Sequence, residues 1–146
     1  CFGGRKEIME HLAPIGDVYQ AGTLSGNPVV MHAGIAVLNY LFSHKEIYKK
    51  MQDLIFYLSS EWKKLSIPFR LNSFSTIFSI FYTQNEVTNY EQVKRQDIEI
   101  FKNIYSKLIQ VGILFPPSCF EVCFFSTLHN ERDIQKFIKI IYEFSF

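Results

Sequence analysis

From about residue 68 to its end the sequence predicts a small α+β layer, an antiparallel or mixed sheet with helices packed on it. Three observations carry that reading. The apolar period is helical up to Leu65 and switches to strand alternation after Pro68. It returns to a helical stripe at Ile98, Phe101, Tyr105 and Leu108, and again at Ile134, Phe137, Ile138 and Ile141. Between those stripes lie two short apolar runs parted by Pro116-Pro117. Ahead of this layer the order is helix, loop and two helices.

Taken in order, residues 5–12 read as a short amphipathic helix stopped by Pro14 and Gly16. A loop rich in Gly, Ser and Thr covers residues 16–26 and ends in Asn27-Pro28. Asn is a good N-cap and Pro suits the first helical position, so a helix starts there. Residues 29–42 are apolar on nearly every side, with Ala33, Gly34 and Ala36 small enough for close approach. That composition predicts a helix buried all round. Ser43-His44-Lys45-Glu46 is a capping box for the next helix, with Phe42 and Ile47 placed as its hydrophobic staple. This helix runs to about residue 65. Ile47, Met51, Leu54, Leu58, Trp62 and Leu65 share one face, and Lys49, Lys50, Asp53 and Lys63 the other.

Beyond Pro68, residues 69–71 and 76–82 read as strands. Thr88-Asn89-Tyr90-Glu91 offers a second capping box ahead of the Ile98 stripe, and Gly112 can end that helix. Residues 113–115 and 122–125 read as two more strands, and a last helix begins at Asn130.

The bulk numbers suit one domain, or one domain plus a piece of another. Of 146 residues, 48% are apolar and 20% charged, enough to bury a core. A net charge of +1 leaves no electrostatic footprint for nucleic acid or acidic lipid. The 15 Phe and 8 Tyr point to a core of large rings. Three cysteines without a CxxC pair fit a reducing compartment such as the cytoplasm. No apolar run reaches the roughly 18 residues of a membrane span. The chain opens Cys1-Phe2-Gly3-Gly4, with neither an initiator Met nor a signal-peptide pattern, and reads as a fragment of a longer protein.

Chemistry is best placed at Gly22-Thr23-Leu24-Ser25-Gly26-Asn27-Pro28. Free N–H groups, hydroxyls and a helix N-terminus favour an anion such as phosphate. An ordinary capped loop explains the same residues, and neither a Walker loop nor a GxGxxG turn is present. Cys119 and Cys123 are spaced for one side of a strand but lack further zinc ligands. His11, His32, His44 and His129 are scattered, and His32, on an apolar helix, is expected to be packed and hydrogen-bonded. Phe78, Ile80 and Tyr82 read as core rather than a base-stacking platform. On pattern alone, Glu121 between Phe120 and Val122 is a solvent-facing strand residue.

A longer set of strings resembles one family. These are Phe2-Gly3-Gly4-Arg5, the run from Tyr19-Gln20-Ala21-Gly22 through Asn27-Pro28, and Met31-His32-Ala33-Gly34. They continue at Glu86-Val87-Thr88-Asn89-Tyr90, Lys94-Arg95, Pro116-Pro117-Ser118-Cys119-Phe120-Glu121 and Leu128-His129. Together they are similar to glutamate-1-semialdehyde 2,1-aminomutases, of the class III aminotransferase group. The resemblance implies a fold-type I pyridoxal-phosphate enzyme, α/β overall. Residues 1–43 would end its large cofactor-binding domain, with the phosphate loop and an interdomain helix. Residues 44–146 would form its C-terminal small α+β domain.

The same resemblance implies a homodimer with shared active sites and pyridoxal 5′-phosphate or pyridoxamine 5′-phosphate as cofactor. Gly22 and Thr23 would bind the phosphate of the partner subunit's cofactor, Tyr19 would line the same region, and Glu121 would face the substrate pocket. No catalytic residue lies in this chain, since the Schiff-base lysine falls upstream of Phe2. The implied reaction converts glutamate 1-semialdehyde to 5-aminolevulinate, the tetrapyrrole precursor, and a chain without that lysine is expected to be inactive alone. The chain departs from the family at Cys119, where Gln is common, at Val122 and Cys123, and at Ser75-Thr76-Ile77. The alternatives are another class III aminotransferase and a non-catalytic α+β interaction domain.

Overall fold

The computed structural model describes residues 2–145, which fall into two compact units, Cys1–His44 and Lys45–Phe146. In the first unit, α1 (Lys6–Met9) is a single turn, shorter than expected, and Arg5 provides no side-chain cap. The chain then doubles back. Ala13 N–H donates to Val18 O and Val18 N–H to His11 O, each at 2.9 Å. Gly16 sits inside this turn, where a Cβ would lie 2.3 Å from the His11 carbonyl oxygen, so no side chain fits.

Helix α2 (Pro28–Ser43) starts where the cap signal places it. The Asn27 side chain accepts from Val29 N–H at 3.0 Å and Val30 N–H at 3.3 Å, while Pro28 has no N–H to satisfy. Its surroundings differ from the expectation. None of its residues is buried, and Val37, Leu38 and Phe42 are largely exposed. The first unit, with one short helix besides, has too little chain to cover an apolar cylinder on all sides.

Its far end also differs. Ser43 belongs to α2 and is not the N-cap of the next helix. The Tyr40 carbonyl accepts from both the backbone N–H of His44 (3.0 Å) and its Nδ1 (2.8 Å), and the two rings stack at 4.0 Å. Those contacts hold the last turn helical, which denies Ser43 the extended backbone a cap requires. The N-cap position of α3 (Glu46–Lys63) falls instead on Lys45, without a side-chain cap bond.

In the second unit, β1 (Arg70–Phe74), β2 (Ile77–Phe81) and β3 (Cys123–Phe124) form an antiparallel sheet in the order β1-β2-β3. The register pairs Leu71 with Ile80 and Phe78 with Cys123. Phe78, Ile80 and Cys123 therefore share the buried face, and Phe74, Ile77 and Phe124 the other. Ser75 makes the β1–β2 turn at φ 54°.

The expected strand at 113–115 does not form. Gly112 takes φ 78° and ends α5 (Ile98–Gln110): its N–H reaches Ile109 O at 3.0 Å, and Ile113 N–H reaches Leu108 O at 2.8 Å. This Schellman closure is followed at once by Pro116-Pro117, which have no N–H to give a ladder. Ile113 and Phe115 still pack against the core, as loop residues. The second capping box, expected on Thr88 and Glu91, does not form, and the cap falls one residue on. Asn89 caps the single-turn α4 (Tyr90–Val93) by accepting from Gln92 N–H at 3.1 Å. The Gln92 side chain in turn accepts from Thr88 N–H at 2.7 Å. Helix α5 has its own cap, Asp97, and α6 (Glu131–Glu143) opens on a capping box of Asn130 and Asp133.

Helices α3, α5 and α6 meet over the buried sheet face. Leu58, Ile104, Leu108, Ile134 and Ile141 are all under 2% exposed, one seam contributed by three helices. Leu58→Ala is expected to cost about 2–5 kcal/mol in urea unfolding. Lys63→Ala, on the exposed face of the same helix, should stay within about 0.5 kcal/mol. Comparable losses for both would show that α3 does not bury the assigned face.

Candidate functional site

The first candidate is the loop before α2. Ser25 N–H donates to Gly22 O at 3.0 Å and Asn27 N–H to Leu24 O at 3.1 Å, which folds residues 22–25 into a turn. Gly26 completes the reversal at φ 73°. Gly22, Thr23 and Tyr19 are exposed, Tyr19 to 83%. Among the described residues, the Gly22 and Thr23 N–H groups and the Thr23 hydroxyl have no hydrogen-bond partner. The first N–H groups of α2 are a different matter. Asn27 takes those of Val29 and Val30 with its side chain and that of Met31 with its carbonyl. What the structure offers an anion here is therefore the loop's own donors, with the helix start already closed. A Cβ on Gly22 would come within 2.8 Å of the Ser25 hydroxyl, so the turn is tight at the residue of interest.

The second candidate lies in the Lys45–Phe146 unit. A cavity of about 670 Å³ opens between the 112–117 loop, the β3 segment and α6. Its apolar wall includes Phe78, Phe115, Phe125 and Phe137, with centroid separations of 5.1 Å for Phe78–Phe125 and 5.5 Å for Phe115–Phe137. Glu121 and Cys123 also line it. The Glu121 N–H donates to Ser118 O at 3.2 Å, and its exposed side chain has no ion pair among the described residues. Burial, helped by the adjacent Glu121 carboxylate, pushes the Cys123 thiol up to about 12.

The same unit holds a buried polar group that the sequence pattern did not reveal. Gln96, 5% exposed, accepts from Tyr82 N–H at 3.4 Å and donates to Cys119 O at 3.2 Å. It thereby ties the end of β2 to the turn that precedes Glu121. The Tyr82 hydroxyl is buried without a partner, and burial raises its pKa, with Cys123 and Cys119 adding to the effect. Burial also raises the Cys119 thiol. Cys119 lies in a turn, so only Cys123 is a strand residue.

Among the described residues no group of three or more His, Cys, Asp and Glu is placed to hold a metal. His32 is hydrogen-bonded, its Nδ1 2.8 Å from Pro28 O, but it is exposed and not packed. His129 Nδ1 accepts from Ser126 N–H at 2.8 Å. No helix among the described residues is long and apolar enough to cross a membrane.

No family model matches the sequence. Individual proteins do. The chain is 40% identical over 148 residues to a glutamate-1-semialdehyde 2,1-aminomutase of Lachnoclostridium phytofermentans, covering 99% of this chain and 35% of that protein. It is 42% identical over 145 residues to the Syntrophomonas wolfei aminomutase, covering 97% and 33%. The chain is a relative of the glutamate-1-semialdehyde 2,1-aminomutases. It spans about a third of the length of the curated aminomutases it matches. Its fold is shared with an omega-transaminase from Sphaerobacter thermophilus, at a TM-score of 0.68 and 20% identity over 97% of this chain and 34% of that one.

In this aminomutase relative the two buried thiols should be inert. Ellman's reagent at pH 8 is expected to leave Cys119 and Cys123 unmodified until the protein is unfolded. The Cys123 thiol rises from 9.0 to about 12 on folding, so the folded state holds its proton the longer. Stability from this group is complete below pH 9 and is lost as pH rises from there towards 12. Rapid labelling of Cys123 in the folded protein at pH 8 would contradict the burial described.

Proposed function

We propose that the chain is the C-terminal third of a pyridoxal-5′-phosphate-dependent aminomutase. The whole protein would convert glutamate 1-semialdehyde to 5-aminolevulinate for tetrapyrrole synthesis, as a cytoplasmic homodimer with shared active sites. The observation that carries this is 40% identity to such enzymes along 98–99% of the chain. Residues 1–43 then belong to the end of the large domain and residues 44–146 to the small one.

The loop residues fit a phosphate. Thr23 brings a hydroxyl and an N–H and Gly22 a second N–H, all without partners among the described residues. They would hold the cofactor phosphate of the partner subunit, beside Tyr19, and so orient the group rather than react with it. When bound, the cofactor supplies the electron sink for amino-group exchange. Glu121 would present its carboxylate to the substrate side, where the neutral Cys123 thiol beside it leaves that charge uncompensated. The lysine that would hold the cofactor and move its protons lies outside these residues, so the 146-residue chain alone would be inactive.

Thr23→Ala in the complete enzyme removes a hydrogen bond to a charged group, about 1.5–3 kcal/mol. Cofactor affinity, followed by absorbance on dialysis, should fall roughly ten- to a hundredfold. Unchanged affinity in a folded variant would count against the loop.

The reaction itself separates an aminomutase from a two-substrate aminotransferase. A mutase, charged with pyridoxamine 5′-phosphate, makes 5-aminolevulinate over many turnovers with no other amino acid present. An aminotransferase stops after one cycle until a second amino donor arrives, and shows ping-pong kinetics. Arrest after one cycle would replace the mutase assignment with the aminotransferase one.

A further inference from the structure

We propose that Gln96 is a positioning residue for Glu121, holding from inside the core the turn that brings this carboxylate to the cavity lining. The inference rests on the reading of Glu121 as a substrate-side residue and deepens it by naming what sets its position.

The side-chain end of Glu121 does not set it. The carboxylate is exposed and has no ion pair among the described residues. Its place is fixed by the backbone on either side, and both sides lead back to β2. Two residues after it, Cys123 pairs with Phe78 in the sheet. Two residues before it, the Cys119 carbonyl accepts from Gln96 Nε2 at 3.2 Å. Cys119 and Phe120 are the central residues of the turn that Glu121 N–H closes on Ser118 O. The Cys119 carbonyl belongs to the peptide between them, and the plane of that central peptide separates one β-turn type from another. Pinning it fixes the direction in which the chain leaves the turn at Glu121.

The far end of the same amide is held as firmly. Gln96 Oε1 accepts from Tyr82 N–H at 3.4 Å, and Asp97 N–H donates to Tyr82 O at 3.0 Å. These partners leave the amide one orientation, since a backbone N–H requires its oxygen and a carbonyl requires its NH2. Tyr82, Gln96 and Cys119 are all buried, so water is poorly placed to replace either bond. A methionine of similar size would fill the same space and grip neither group.

The test uses the full-length protein with glutamate 1-semialdehyde as substrate. Gln96→Met removes both bonds and keeps the volume. It is expected to lower kcat/KM about three- to tenfold with cofactor affinity unchanged. In a Glu121→Gln background the same change should lower it less than about twofold, because the carboxylate being positioned is gone. The two buried thiols supply a readout apart from turnover. N-ethylmaleimide, located by peptide mapping, should reach Cys119 in the Gln96→Met protein while Cys123, held in the sheet, stays protected. Gln96→Glu keeps an acceptor for Tyr82 N–H but, ionised, offers Cys119 O no donor, and it goes through the same cycle where Gln96→Met does not fold. Equal losses in both backgrounds, or Cys119 and Cys123 opening together, would make Gln96 a general support of the core and overturn this proposal alone. Unchanged kcat/KM in a folded Gln96 variant would overturn it as well. A Glu121→Gln protein that turns over like the unsubstituted enzyme would instead remove the substrate-side reading of Glu121, and this proposal with it.

Discussion

The second unit depends on the seam where α6 lies against α3 and α5 over the inner sheet face. Ile134 and Ile141 of α6 are at most 1% exposed, as are Leu58 of α3 and Ile104 and Leu108 of α5. Each is apolar and fully covered, and α6 packs against both α3 and α5. The sheet alone could not take their place. With β3 only two residues long, it needs helices against its inner face to be stable at all. Removing water from this one seam therefore fixes the helix positions, and through Phe78, Cys123 and Phe137 it also fixes the cavity wall.

A smaller polar constraint sets where the cavity's chemistry stands. Gln96 holds Tyr82 and Cys119 together from inside the core, and Asp97 N–H adds a bond to Tyr82 O at 3.0 Å. Asp97 also caps α5. One dipeptide thus anchors the end of β2, the start of α5 and the turn before Glu121. A buried amide with both ends satisfied is costly to displace, so the turn has little freedom to slide. That rigidity fixes where the chain brings Glu121 into the cavity lining.

Much of this was legible, and the failures have physical causes. The helical stripes of α3 and α6 were legible because a buried face writes its period into the sequence, whereas that of α5 was read only in part: Ile98 is 41% exposed, and Ile104, 1% exposed, was missed. The cap at Asn27 and the helix start at Asn130 were read because a side-chain acceptor is needed just there. Ser43 misled because its neighbours compete: the Tyr40–His44 contacts extend α2 by a turn that the box pattern cannot foresee. Residues 113–115 misled because apolar alternation marks burial, and a loop pinned by a Schellman closure can be buried too. Gln96 left no trace because a single buried amide has no period. The cavity was equally silent, since its wall is drawn from residues far apart in the chain.

Helix α2 shows the limit of composition in the other direction. Between Pro28 and Ser43 there is no Asp, Glu, Lys or Arg, and that composition predicted a helix buried all round. Yet none of its residues is buried. The two facts are consistent once the question is split. Periodicity and capping decide whether a segment is helical, and they act within the segment. Burial requires a second surface, which the segment cannot encode. The loop before α2 follows the same division: Asn27 and Gly26 set its shape locally, while what meets its free donors is not encoded in the loop itself.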